Sequence, residues 1–406
     1  MNTKLGYYTC NGITFDSKIA ACIYSVQHGN PKVSWTFNTY EFGKHNWLHE
    51  PELTLDQLYD ARAKQLRETY DYLILSYSGG SDSHNILMSF VRQGLHIDEL
   101  VVNTMDKARA KFIDLNPANT ASTNSGAEHA LQCLPRLAEI QPHITKTKIT
   151  VFDLSDYLFD SFDKAGDASW VLSKREGLNP ANATRYNYLH FDEVRKQFDK
   201  DKKIALIVGV EKPRTFIRNG EFIMRFADRA ANIVSAADYI KDYTNSAVEL
   251  FYWSPDMVPM MIKQGHVIKN WLDATPSMQH LWDESEMRYN PVAFDRHRLV
   301  HERLLRTLLY TTWDNTWYQA DKSTRDWTSE FDEWFSDGYS DTRAYQVWKE
   351  GIDYVSTTLA SFVNPRKLIN GAADSLDIHF KDYPMGMMKR LSPELKIKLY
   401  TQLTNK

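Results

Sequence analysis

The sequence has little cysteine. Only Cys10, Cys22 and Cys133 occur in 406 residues, with no CxxC pair among them. A structural zinc site usually draws four ligands from closely spaced pairs. Neither a zinc module nor a disulfide framework is therefore expected, and the three read as reduced thiols. Long apolar runs are also missing. No stretch approaches the roughly 20 residues that cross a bilayer, and Met1-Asn2-Thr3-Lys4 leads into no apolar export segment. The expectation is a cytoplasmic protein with no membrane partner. Charge of one sign is not in excess either. The 48 basic and 52 acidic residues leave a net charge of −4, which argues against a general nucleic-acid coat while leaving room for a local basic site. Internal repeats and low-complexity linkers are absent.

Aromatic residues, in contrast, are plentiful. They make up 13% of the chain, with 11 tryptophans, many of them after residue 250. That enrichment predicts an aromatic-packed helical region.

Three stretches divide the chain. Residues 1–70 read as a small β-rich segment plus a helix. "YYTCNGITF", "IAACIYSV" and "VSWTFNTYEF" are read as short strands, with Asn11-Gly12 as a turn. Thr54 and Gln57 form a capping-box pattern that opens a helix near 55–70. Residues 71–225 read as an α/β nucleotide-binding domain. "YLILS", "ELVVNT", "ITVFDL" and "KIALIVGVE" are short continuous apolar runs, the mark of strands covered on both faces. Helical patterns lie between them, near 81–94, 125–139, 155–163 and 190–200. That alternation predicts a parallel, doubly wound, Rossmann-like sheet. Residues 226–406 read as mainly helical, with no further buried strand expected after about 225. "ADRAANIVSAADYIKDY", "MVPMMIKQGHVIKNWLD" and "HRLVHERLLRTLLYTTW" supply the helices.

Ligands of such sheets gather at the carboxyl ends of the strands. The segments to watch are Ser76 to Ser83, Asn103 to Asp106 and Gly209 to Arg214. The first is the most distinctive. Ser78-Gly79-Gly80-Ser81-Asp82-Ser83 joins a buried strand to an amphipathic helix carrying Ile86, Leu87, Phe90 and Val91 on one face. A sharp strand-to-helix turn aims several backbone N–H groups into one small space, and the helix N-terminus adds partial positive charge. Glycines let an anion approach, serines add donors, and Asp82 is a candidate ligand for Mg²⁺. No lysine follows Gly80, so this is not the GxxxxGK[ST] loop.

The six residues resemble the SGGxDS signature of the PP-loop ATP pyrophosphatases. The resemblance implies an adenine nucleotide α-hydrolase-like fold, a loop that grips the pyrophosphate of ATP, and cleavage of the α–β bond. Ser76, Ser78, Gly79, Gly80, Ser81, Asp82 and Ser83 would bind the nucleotide. Asn103 and Thr104, at the end of the second strand, would lie near its ribose or adenine. Lys212 and Arg214, after the fourth strand, would neutralise phosphate charge, and Asp82 would hold the metal. In asparagine-synthetase-like enzymes the fourth strand leads into GEGSDE, whereas Gly209-Val210-Glu211-Lys212-Pro213-Arg214 stands here. That departure speaks against asparagine synthesis itself. The cysteines speak against thiolating and reductase branches, and Asn2 against a class II glutaminase. The implied activity is an AMP-forming ligase that adenylates an acceptor oxygen and makes a C–N bond. Its acceptor would be a small amino or carboxylate compound, with nitrogen arriving free or from a partner protein. A base-modifying enzyme acting on tRNA or DNA and a non-catalytic nucleotide-binding module are the alternatives.

Further candidates weigh less. Glu249, Trp253, Asp256, Lys263 and His266 lie close in sequence, and His266 is more often structural than catalytic. Gln319, Lys322 and Glu330 sit among Trp313, Trp317, Trp327 and Trp334, a pattern read first as packed aromatics. Both segments resemble helical extensions of PP-loop proteins, phage-encoded ones among them. Ser125-Gly126 reads as a helix cap. Arg218, Arg225 and Arg229, with Arg296, Arg298, Arg303 and Arg306, are the candidate nucleic-acid contacts.

Overall fold

A computed structural model describes residues 6–104, 128–153, 162–163, 166–173, 201–209, 212–227, 246–284, 291–319, 335, 338–359 and 375–380. It gives the backbone alone at 173, 227, 291–299, 375–377 and 379. The expected helices near 155–163 and 190–200 and the stretch 228–243 lie largely outside these residues, as do Asp106, Ser125, Gly126, Arg229, Lys322, Trp327, Glu330 and Trp334.

A five-stranded sheet forms the centre. It comprises β4 (Tyr72–Ser76), β5 (Glu99–Thr104), β6 (Lys148–Asp153), β7 (Ile204–Val208) and β10 (Ser246–Leu250), in the order β10-β7-β4-β5-β6. Every neighbouring pair is parallel. Leu73, Ile74 and Leu75 are fully buried, and so is the whole of β7. Unbroken apolar runs of this kind belong to strands covered on both faces. Each fully buried aliphatic side chain contributes about 1.5–3 kcal/mol through lost contact with water. The chain leaves β4 toward β5 and β6 on one side and returns through β7 to β10 on the other. The order therefore reverses between β4 and β7, and that crevice is where α/β sheets of this kind hold ligands.

β10 corrects the expectation that no buried strand follows residue 225. Its run, "SAVEL", is interrupted by Glu249, a carboxylate only 4% exposed. Arg62 of α3 (Leu55–Thr69) makes that burial tolerable, with Nη2 2.7 Å from Glu249 Oε2, and the Tyr70 hydroxyl donates to the other oxygen. The turn after β7 is corrected too. Arg214 begins a hairpin, β8 (Arg214–Arg218) and β9 (Glu221–Ala227), which with β11 (Ser375–Phe380) forms an antiparallel sheet in the order β11-β9-β8.

The N-terminal segment is a third sheet, β2-β1-β3, built from β1 (Tyr7–Cys10), β2 (Ile13–Phe15) and β3 (Val33–Thr36). "IAACIYSV" is not a strand but most of helix α1 (Lys18–Gln27), capped by Ser17, whose Oγ accepts Ala20 N–H at 3.1 Å. Ile19, Cys22 and Ile23 of α1 pack with Val347 and Val355 of α8 (Arg343–Thr358), in a second core apart from that around the parallel sheet. A short helix, α2 (Thr39–Gly43), precedes α3. The remaining long helices are α4 (Ser81–Arg92), α5 (Leu134–Ile140, entered through a π turn at Glu128–Cys133), α6 (Val258–Ala274) and α7 (Pro291–Leu309). Among the described residues, no helix is long and apolar enough to cross a membrane.

Candidate functional site

The Ser78–Ser83 turn stands at the carboxyl end of β4, at the crevice beside β7. Tyr77 N–H donates to Val101 O at 2.9 Å, which fixes the exit of β4 on β5. The serines then knit the turn. Ser83 Oγ accepts Ser78 N–H at 3.2 Å and donates to Gly80 O at 3.2 Å, and it lies 3.3 Å from Ser78 Oγ. Gly79 adopts φ +69°, and a Cβ there would stand 2.6 Å from Cys133 Cα. Gly80 is the N-cap of α4 and brings no side-chain cap. Two distant glutamines serve the turn instead. Gln319 Oε1 accepts Ser81 N–H at 3.1 Å, and Gln132 Nε2 donates to Ser78 O at 2.9 Å.

Asp82, in the first turn of α4, is the hub of a polar chain in which Lys212 is buried and the two carboxylates are half-buried. Lys212 Nζ donates to its two carboxylate oxygens at 3.1 and 3.3 Å, and the Tyr310 hydroxyl donates to Oδ1. Its backbone oxygen accepts the Tyr252 hydroxyl at 2.8 Å. Lys212 also reaches Glu302 Oε2, 3.4 Å away. Burial alone would lower the Lys212 pKa, but Asp82 and Glu302 outweigh it and the net shift is upward. Burial works to raise Glu302, and the cations beside it, Lys212 foremost, pull it down to about 2. Burial, and then Asp82, push the Tyr310 phenol far up, so it remains a donor. The result is carboxylate, ammonium, carboxylate in a row at the helix N-terminus. Gly209 lets this happen. A Cβ there would stand 3.2 Å from Ser83 N, so the exit of β7 passes directly against the first turn of α4 and delivers Lys212 to Asp82.

On the other side of α4, His84 is 4% exposed and its Nδ1 lies 3.1 Å from the Tyr77 hydroxyl. Burial first, and Arg136 second, lower its pKa to about 4, so the ring is neutral. Trp313 and Trp317 pack edge-on against it.

The loop residues and Lys212 are thus brought together. Ser76 ends β4. Asn103 and Thr104 end the neighbouring strand β5, the first exposed and the second buried. Arg214 opens β8 with an exposed side chain. The Glu249–His266 group does not converge on the loop. Trp253 is fully buried, and Asp256 lies 4.0 Å from Arg62. Lys263 donates to Glu50 Oε1 at 2.7 Å, and His266 Nε2 meets Trp47 O at 3.0 Å. Both therefore tie α6 to the segment before α3, and His266 is structural. Arg218 and Arg225 both engage Glu284. Arg306 lies 4.0 Å from Glu302, and Arg303 is exposed on α7. The side chains of Arg296 and Arg298 lie outside the described residues.

Sequence reasoning missed Gln132, Tyr252, Glu302 and Tyr310. Each is one polar residue on an otherwise ordinary helix or loop, with no spacing to mark it. Among the described residues, no three of His, Cys, Asp and Glu gather as a ready-made cation site. Mg²⁺ commonly takes one or two carboxylates and completes its shell with water and phosphate. Asp82 is one such carboxylate, but both its oxygens are engaged by Lys212 Nζ and one by the Tyr310 hydroxyl as well, and the ammonium stands between it and Glu302. No family model and no curated protein matches the chain.

Proposed function

We propose that the chain is an ATP-dependent, AMP-forming ligase of the PP-loop type, nearest in kind to the synthetase half of asparagine-synthetase-like enzymes. One observation carries this reading. The Ser78–Ser83 turn, the N-terminus of α4 and the Asp82–Lys212 pair meet at the carboxyl rim of a parallel sheet, where the strand order reverses. The turn would hold the polyphosphate on the Ser78 and Ser83 hydroxyls, and on the Ser81 N–H once the ligand displaces Gln319 from it. Lys212 would follow the negative charge that builds on the departing pyrophosphate. An acceptor oxygen attacks the α-phosphorus, the α–β bridge breaks toward pyrophosphate, and an amine then displaces AMP to form the C–N bond. Mg²⁺ would supply charge neutralisation for the phosphate oxygens, and Asp82 would hold it once Lys212 turns from the carboxylate to the phosphates.

Incubation of the protein with Mg²⁺, α-labelled ATP and panels of amino-acid, carboxylate and amine acceptors should release AMP and pyrophosphate. Release of ADP instead would sink the reading. Asp82→Asn keeps the shape of the hub and should lower the rate by at least about 100-fold, the scale of losing one charge-positioning group. ATP binding without any AMP release would favour the non-catalytic module. The pairing of Arg218 and Arg225 with Glu284 engages two of the seven arginines named as candidate nucleic-acid contacts.

A further inference from the structure

Arg136, on α5, is in an unusual position for a cation. Its side chain is about nine-tenths buried, and its guanidinium carbon stands over the Trp317 ring, 3.8 Å from the centroid. Among the described residues, Nε and Nη1 are buried with no hydrogen-bond partner. Among the described residues Arg136 pairs with one carboxylate, that of Glu139, which stands 3.7 Å from Nε, beyond hydrogen-bond reach, and is itself largely exposed. A buried charge without compensation is among the more costly features a fold can hold. Stacking on an indole recovers only part of that.

The location points to what would compensate it. One helical turn before Arg136, Gln132 is bonded to Ser78 O, and Cys133 lies against Gly79. Two residues beyond Trp317, Gln319 caps Ser81 N–H. Arg136 is therefore clamped to both of the segments that line the Ser78–Ser83 turn. Its field reaches His84 and Tyr77 behind that turn. We propose that Arg136 is an oxyanion-binding residue of this site. Its free N–H groups would take a phosphate or carboxylate oxygen of the bound ligand, beside the group held at the α4 N-terminus. The proposal rests on reading the turn as an anion site, and it names Arg136 as that site's second cationic contact, across the turn from Lys212.

Calorimetric titration of the full chain with pyrophosphate, and separately with succinate, tests it in wild type, Arg136→Met and Arg136→Lys. Binding by wild type should weaken by about tenfold or more in Arg136→Met, the scale of a charge-assisted hydrogen bond. Arg136→Lys should recover part of it. The ligand-free melting temperature of Arg136→Met should equal or exceed that of wild type, because an uncompensated charge has gone. A prop for Trp317 would behave the opposite way, with a lower melting temperature and unchanged affinity, and that result overturns the proposal. So does a wild type that binds neither anion. Dependence seen with succinate alone assigns Arg136 to an acceptor carboxylate, and with pyrophosphate alone to the nucleotide. Arg136-dependent pyrophosphate binding without AMP release would defeat the ligase reading and leave this one standing. AMP release unaffected by Arg136→Met would do the reverse.

Discussion

Gly79 meets two demands that only glycine satisfies together. Its φ of +69° is left-handed, and the place where a Cβ would sit is 2.6 Å from the Cys133 backbone. Gly79→Ala should lower stability by roughly 2 kcal/mol or more, read by denaturant melts, because backbone strain adds to a clash that no rotamer relieves. His84 makes the second residue-scale prediction. It titrates near 6.5 when unfolded and at about 4 when folded. Between those values the unfolded chain binds the proton and the folded chain does not, so stability falls as pH drops from 6.5 toward 4, by up to roughly 3 kcal/mol. His84→Gln should flatten the melting temperature over that window; a slope equal to wild type would remove His84 as its source. Glu302 acts at lower pH. Its pairing with Lys212 is fully present above the ordinary 4.5 and is lost as pH falls through about 2. At this scale the sequence spoke clearly only where residues were contiguous. Ser78 to Ser83 could be read as an anion turn because six neighbours share one task. Tyr310 and Gln319 come back to that turn from more than two hundred residues away, and local pattern carries no such distance.

Elements were legible where caps and periodicity agreed. Thr54 Oγ1 accepts Gln57 N–H at 3.2 Å while Gln57 Oε1 accepts Thr54 N–H at 2.9 Å, the reciprocal box that opens α3. Thr54→Ala should remove about 1 kcal/mol, measurable by chemical denaturation. A near-zero loss would mean that tertiary contacts, such as Arg62 with Glu249, alone hold the start of α3. Helix α1 was misread because its apolar run is too short for periodicity to separate strand from helix. Ser17 was the overlooked signal. The β8–β9 hairpin was overlooked although Asn219-Gly220, both at positive φ, is a strong hairpin turn. Arg214 and Arg218 at the ends of β8 and Arg225 within β9 interrupt the apolar pattern that would otherwise mark the two strands. Strand β10 was missed for a different reason. Glu249 breaks its apolar run, and only the fold reveals that Arg62 neutralises it.

At the scale of the molecule, the two cores divide the work. The parallel sheet carries the candidate site, while α1 and α8, from opposite ends of the chain, close a separate apolar cluster with Trp170 and Phe335. Gly351 on α8 is the pivot of that closure. A Cβ there would stand 2.3 Å from Trp170 Nε1, the atom that donates to Val347 O at 3.1 Å. Gly351→Ala must therefore push the indole off its bond and loosen the second core. Cys22, 4% exposed in that core, is a built-in reporter, whereas Cys133 lies in the first. In the variant, thiol labelling should rise at Cys22 and stay slow at Cys133, with anion binding at the Ser78–Ser83 turn unchanged. If labelling rises at both cysteines together, the cores unfold as one unit, and the terminal pairing of α1 with α8 would then support the site itself.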